Sequence, residues 1–415
     1  MSSANTARKP ASPFVQLPSS VGPGPSSAPD LSVVPGARPE VNGAQAGPRN
    51  AAQIDMRYLV RALIKYNASD LHIKVGRPPL YRIHGKLIPA KMPQMTAPQV
   101  EKLLSDVISP RQIAELSQKL QVDLSFRMGE LGRFRCNVFY QRGSLSCVIR
   151  MIPFTVPKFD DLGIPGVIKE LCFRPRGLVL VTGSTGSGKS TSLAAMVQHI
   201  NENRPVHVLT VEDPIEFMYR DQKATVTQRE LGSDTHSFED ALFAGLRQDP
   251  DVIMIGELRD PKTIQFALTA AETGHLVLST LHTKDAISSI ERILDVFPGV
   301  SRNQVRIQLA STLVAVISQT LLIRADGSGR IPACEVLINS PAVESYLLKD
   351  ELSRIPEAMA TSNNYYQMRT LNQELERLVK ASLITQEEAL KVSPNPDDLR
   401  LRLSGVSAQE GYDQA

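Results

Sequence analysis

The 415-residue sequence predicts an α/β fold, in which a parallel sheet covered by helices is preceded by a small α+β domain and followed by a mostly helical stretch. Three observations predict it. In the second half, short apolar runs alternate with amphipathic ones, the pattern of a parallel sheet buried on both faces. The run Leu178 to Val181 is followed at once by "GSTGSGKST", Gly183 to Thr191, and then by a helical stretch, "TSLAAMVQHI". Ahead of these, residues 51–153 mix helical spacing with strand-like alternation.

The elements follow in order. Residues 1–50 are rich in Pro, Ser, Ala and Gly with few aromatics, so they are expected to form a disordered tail. "MRYLVRALIKY" has helical spacing, and "DLHIKV" and "LYRIHGKLI" alternate as strands around the turn "GRPP". Helices start at Thr96, with Gln99 completing a capping box, and at Ser109-Pro110. "DLSF", "RFRCNVFYQ" and "LSCVIRMI" read as strands and close the first domain at 153. A proline-bearing connector, 154–168, leads into a second domain over 169–404. Its strands are "GLVLVTG", "VHVLTVED", "DVIMIGE" and "HLVLSTLH"; its helices follow the glycine loop, lie around 237–248, and occupy "PKTIQFALTAAET" and "AISSIERILDVF". Beyond about 300 the chain is expected to be mostly helical. "LASTLVAVISQTLLI", Leu309 to Ile323, reads as a core helix, shorter than the roughly 18–20 residues a membrane span needs. Thr385 to Lys391 reads as a helix with a Thr385/Glu388 capping box, and 405–415 as a frayed end.

Composition narrows the classes. A net charge of +3 argues against a protein that coats nucleic acid. The four cysteines, Cys136, Cys147, Cys172 and Cys334, form no C-x-x-C pair, so neither a zinc site nor a disulfide framework is expected. No apolar signal segment opens the chain, and a reducing, cytoplasmic setting fits.

The spacing G-x-x-x-x-G-K-S is that of a phosphate-binding loop, whose backbone N–H groups close around phosphate oxygens at a helix N-terminus. Gly183, Ser184, Thr185, Gly186, Ser187, Gly188, Lys189, Ser190 and Thr191 form the predicted nucleotide site. Lys189 would reach the β- and γ-phosphates and Ser190 would hold Mg²⁺. With alternating strands and helices, this loop makes a RecA-like P-loop core. Glu257 lies at the exit of the strand Val252 to Ile255, where open α/β sheets present ligands, and is the expected Mg²⁺-side acid. A simple ion pair with Arg259 is its bland alternative. Glu212, Asp213 and Glu216 form a second acidic cluster after a strand; three carboxylates so close favour a shared cation or proton, or else cap a solvated loop. His275 and His282 bracket an apolar strand, and His282 at its end is placed to sense a γ-phosphate. Arg133, Arg135 and Arg150 on first-domain strands are candidates for arginines supplied in trans, with Arg247 an in-domain competitor.

Taken in order, the loop, "VEDPIEF", "DPDVIMIGELRD" and "TAAETGHLVLSTLHT", with "NASDLHI", "GRFR" and "LVAVISQTLL" around them, resemble the type IV pilus and type II secretion ATPases, and within these the pilus retraction ATPases. The resemblance implies a PAS-like first domain, a RecA-like second domain and a homo-hexameric ring that hydrolyses ATP with Mg²⁺. It implies pilus retraction at an inner-membrane platform protein on the cytoplasmic face, beside paralogous pilus ATPases and without nucleic acid. By position it assigns Lys189 and Ser190 to Walker A, Glu257 to Walker B, Glu212, Asp213 and Glu216 to the acidic box with Glu216 catalytic, and His275 and His282 to a histidine box. Arg133, Arg135 and Arg150 match first-domain arginines associated with the site. "LVAVISQTLL" matches a C-domain helix. Where the retraction group carries Ala-Ile-Arg, this chain reads Ala342, Val343, Glu344, which opens the alternatives of an accessory retraction ATPase or a regulatory nucleotide-binding ring.

Overall fold

The computed structural model describes residues 54–153 and 155–405, and the chain divides into two compact units at Pro153/Phe154. The expected tail, 1–50, and all but the first residue of the expected frayed end lie outside the described residues.

In the first unit, helix α1 (Met56–Lys65) starts where the Asp55 carboxylate accepts the Tyr58 N–H at 2.6 Å. Strands β1 (Asp70–Lys74), β2 (Leu80–Ile83) and β3 (Lys86–Pro89) follow, then helices α2 (Ala97–Ser105) and α3 (Pro110–Lys119), then β4 (Gln121–Arg127), β5 (Arg133–Gln141) and β6 (Ser144–Ile152). "LYRIHGKLI" is two strands, because His84 and Gly85 take positive φ and turn the chain between them. The six strands form one antiparallel sheet in the order β3-β2-β1-β6-β5-β4. Leu59, Leu63, Tyr81, Leu103, Phe134 and Ile149 fill its core, and the Tyr81 hydroxyl is satisfied by Leu59 O at 3.0 Å.

The second unit opens with the short helix α4 (Val167–Leu171) and continues through β7 (Gly177–Thr182), α5 (Lys189–Asn203), β8 (His207–Glu212), β9 (Thr225–Glu230), α6 (Phe238–Gly245), β10 (Val252–Ile255), α7 (Pro261–Glu272), β11 (Leu276–Leu281), α8 (Ala286–Asp295) and α9 (Val300–Thr312). Strands β12 (Leu313–Ile323) and β13 (Arg330–Ile338) come next, and then helices α10 (Pro341–Lys349), α11 (Ile355–Thr361), α12 (Asn363–Tyr366), α13 (Leu371–Lys380), α14 (Gln386–Val392) and α15 (Pro396–Leu403). The seven strands run β13-β12-β7-β11-β10-β8-β9, all parallel except β13. Strands β7, β10 and β11 are buried at every position, as a sheet covered on both faces requires.

Three expectations are corrected here, all by one finding, and one strand was not expected. Leu309 to Ile323 is not a core helix: α9 ends at Thr312 and the rest is β12, paired with β7 and β13. An apolar run buried on both faces carries no period to separate strand from helix, and Val314, Val316, Ile317 and Thr320 are β-branched. The same finding overturns the helical assignment of "LVAVISQTLL" and shortens the helical stretch, which begins at α10. Strand β9 has no apolar signal, since "TVTQRE" is an edge strand of mostly polar residues. Among the described residues no helix is long and apolar enough to cross a membrane.

Candidate active site

The carboxyl ends of β7, β8, β10 and β11 lie along one edge of the second unit's sheet, because these strands are parallel. From β7 the chain enters the glycine loop and then α5, so the loop closes over the N-terminus of a 15-residue helix, where unpaired N–H groups favour an anion. Gly183 (φ +144°) and Gly188 (φ +92°) take conformations that side chains avoid. A Cβ on Gly183 would stand 2.3 Å from Gln319 O, and one on Gly188 3.0 Å from Gln319 Nε2. Gln319 itself is buried on β12 and accepts the Ser192 hydroxyl at 2.9 Å. Thr182 and Ser318, paired across β7 and β12, join hydroxyls at 2.9 Å just beneath the loop.

Lys189 is 7% exposed, and its ammonium donates to Gly183 O at 2.9 Å and Ser184 O at 3.0 Å. Burial lowers its pKa, and the charge of Glu257 acts in the opposite sense. Lys189 Nζ also lies 3.4 Å from His282 Nδ1. An ammonium only donates, so in this contact Nδ1 is the acceptor, and the other ring nitrogen, Nε2, lies 3.3 Å from Glu257 Oε1. The second Glu257 oxygen accepts Arg259 Nε at 2.9 Å. Lysine, histidine and acid are thus joined in one chain at the strand exits. The Arg259 pair is present too, but its arginine is well exposed and the strand direction places Glu257 at the carboxyl end.

The acidic cluster divides by burial. Glu212 ends β8 at 5% exposure and accepts Thr210 Oγ1 at 2.7 Å, Gln228 Nε2 at 3.2 Å and Glu216 N at 3.2 Å. Burial pushes its carboxyl up to about 7; the three hydrogen bonds pull the other way, and Glu216 adds a small upward push. Asp213 and Glu216 are exposed. Strand β8 stands three places from β7 in the sheet, about 14 Å at ~4.8 Å per strand, so the segment carrying Glu216 leaves the same sheet edge as the loop but on the far side of the strand that precedes Glu257.

Not every predicted residue meets the loop. His275 precedes β11 at the opposite edge of the sheet, where its Nδ1 lies 2.9 Å from Ala270 O. Arg247 lies before β10, at that same edge. In the first unit, Arg150 is committed to the buried Asp70 at 2.8 Å, and Arg133 donates to Ser125 Oγ at 2.8 Å. Arg135, directly across from Arg150 in the sheet, is exposed and forms no ion pair among the described residues. Gln319, Thr210 and Gln228 escaped sequence reasoning: the first lay in a stretch read as helix, the others carry no motif.

The donor set fits a nucleoside triphosphate with a hard cation. Positive-φ glycines leave the loop open to close approach, Lys189 supplies positive charge, the exposed Ser190 hydroxyl and the Glu257 carboxylate offer oxygens that could hold the cation, and Ser187 Oγ is buried in the loop without a hydrogen-bond partner among the described residues. A glycine loop between a parallel strand and a helix, with an acid at the exit of a second parallel strand two places away, defines a P-loop nucleotide-binding protein. The chain belongs to the type II/IV secretion system protein family, whose profile matches residues 50–390. It is 42% identical over 345 residues to the type IV pilus retraction ATPase PilT of Pseudomonas aeruginosa, covering 83% of this chain and 100% of that protein. It is 38% identical to the type IV pilus ATPase PilU of the same organism, over 84% of this chain and 91% of that one. The crystal structure of the pilus retraction motor PilT with bound ADP superposes with a TM-score of 0.78 at 45% identity, covering 84% of this chain and 99% of that one.

Proposed function

We propose that the chain is an ATP-hydrolysing motor of type IV pilus retraction, with a PAS-like first unit and a RecA-like second unit, working as a homo-hexamer. It would act at the cytoplasmic face against an inner-membrane platform protein, alongside paralogous pilus ATPases. The observation that carries the reading is the linked set Lys189, His282 and Glu257 at the mouth of the glycine loop. The similarity to pilus retraction ATPases over most of both chains supplies the biological setting.

The loop N–H groups and Lys189 bind the phosphates, and Ser190 with Glu257 would hold Mg²⁺, which when bound offsets phosphate charge. Glu216 orients a water toward the γ-phosphorus and takes its proton as the bond to the bridging oxygen breaks, releasing ADP and phosphate. Glu212 and Asp213 complete the acidic cluster. His282, bonded on one side to Lys189 and on the other to Glu257, registers whether the γ-phosphate is present. Arg135, uncommitted and exposed, is the first-unit arginine best suited to meet phosphate in trans, whereas Arg150 already neutralises Asp70. His275 acts from its own edge of the sheet as a strand-end residue.

Steady-state ATP hydrolysis on size-fractionated protein tests this. A hexamer-sized species should turn over ATP, and Glu216→Ala should lower kcat by about 100-fold or more while leaving the ring intact. Wild-type turnover in that variant would sink the assignment. A second reading, an accessory retraction ATPase, draws on α10: Val343 is fully buried and fills the apolar position, but Glu344 puts a half-buried acid where the retraction group has arginine. A deletion strain that still retracts pili at low load would favour it.

A further inference from the structure

The segment 213–219, which carries Glu216, belongs to no helix or strand, so its backbone polar groups must find partners elsewhere. They find most of them on β9, and one on the end of β8. Strand β9 pairs in parallel with β8 in a register that sets Thr210 beside Gln228 and Glu212 beside Glu230. Side chains two apart share a face, so these four lie on one side of the sheet edge. Gln228 engages its whole amide: Nε2 donates to Phe217 O at 2.9 Å and to Glu212 Oε1 at 3.2 Å, and Oε1 accepts Tyr219 N at 3.0 Å. Glu230, 3% exposed, accepts Ile215 N at 3.2 Å and the Ser233 hydroxyl at 3.2 Å. Glu212 takes Glu216 N. Backbone groups of residues 215, 216, 217 and 219 are therefore all gripped by side chains, while the carboxylate of Glu216 is left exposed.

We infer that β9 is a brace for the acidic segment and that Gln228 and Glu230 are positioning residues, which hold Glu216 in its working place without touching the nucleotide. The inference rests on the role of Glu216 given above. Its physical content is a tolerance: a catalytic group displaced by about 1 Å can lose on the order of a hundredfold in rate, and a segment with no ladder of its own depends on these side-chain bonds, beside the packing of Ile215 and Tyr219, to hold it. An ordinary edge strand that only satisfies a loop would affect stability alone. A brace affects kcat in a protein that still binds nucleotide.

The test uses the full-length chain in its native assembly, with ATP turnover and ADP affinity measured together for Gln228→Leu, Glu230→Leu, Glu230→Gln and Glu216→Ala. Gln228→Leu and Glu230→Leu should lower kcat by about tenfold or more with KM for ATP and ADP affinity within about twofold. Glu230→Gln retains an acceptor for Ile215 N and should restore turnover to within about threefold. If Gln228→Leu fails to assemble, Gln228→Asn decides, since it keeps an uncharged amide but draws it back by one methylene from Phe217 O and Tyr219 N; it too should lose kcat alone. Wild-type kcat in these assembled variants, or an ADP affinity that falls as far as turnover does, overturns the brace. Wild-type turnover in Glu216→Ala would instead overturn the role of Glu216 on which the brace rests, so the two failures are distinct.

Discussion

The two edges of the parallel sheet use similar residues for different ends. At the amino edge, His207 N donates to Asp251 Oδ2 at 2.8 Å, His207 Nδ1 lies 2.9 Å from Gln248 O, and His275 Nδ1 lies 2.9 Å from Ala270 O. These groups finish main chain that the strands leave open. At the carboxyl edge, Lys189, His282, Glu257 and Arg259 bond to one another instead, and Glu212 is buried with its carboxyl pushed to about 7. Finishing a strand end lets each polar group be satisfied by backbone. Linking charges to charges leaves a site whose members respond to an incoming ligand.

The largest expected effect comes from removing the carboxyl edge's buried charge. In the folded state Glu212 holds its proton up to about pH 7, against 4.5 for an ordinary glutamate. Its folded pKa lies above the unfolded one, so the native state binds more protons in that window and loses stability as pH rises through it. The full penalty, about 3 kcal/mol, is reached above about pH 8. Glu212→Gln removes the charge and keeps the shape, but its amide nitrogen cannot accept from Glu216 N, which costs a pH-independent amount. The difference in denaturation midpoint between variant and wild type should therefore move in favour of the variant from pH 4 up to pH 8, while turnover falls. A constant difference across that range would mean that Glu212 is not charged at the cost its burial implies.

Next in size is the contrast between the histidines. His282→Ala removes the link between Lys189 and Glu257 and should lower kcat/KM for ATP by about tenfold, the scale of one charge-assisted contact. His275→Ala removes a bond to Ala270 O and should change it by less than about twofold. Equal losses from both would show that position on an edge does not predict role.

Much of this contrast was legible in the sequence. The glycine loop after Leu178 to Val181 marks the carboxyl edge, and strand direction then assigns Glu257 and His282 to it and His275 to the other end. Burial was not legible: "EDPIE" shows three acids within five residues, and only packing separates Glu212 from the exposed Asp213 and Glu216. Strand β9 was missed because its chemistry is hydrogen bonding by polar side chains along an edge, which leaves no hydrophobic period. The run to Ile323 was misread for a different reason: it is mostly apolar and buried on both faces, so it shows no period that separates strand from helix.

That misread run bears on the smallest effect. As a helix, Leu309 to Ile323 would have had no place beside the loop; as β12 it continues past β7 and brings Gln319 against both Gly183 and Gly188. The bond from Ser192 to Gln319 Oε1 ties the first turn of α5 to that strand. Losing one buried hydrogen bond of this kind costs about 1 kcal/mol, which is a factor of about five in an equilibrium constant. Gln319→Ala should therefore weaken ADP binding about fivefold with kcat within about twofold, and adding Ser192→Ala should weaken it little further, because both variants remove the same bond. Full additivity would mean that the two side chains support the loop separately. Unchanged affinity in Gln319→Ala would mean that the glycine loop keeps its shape without β12, and the carboxyl edge would then owe its chemistry to Lys189, His282 and Glu257 alone.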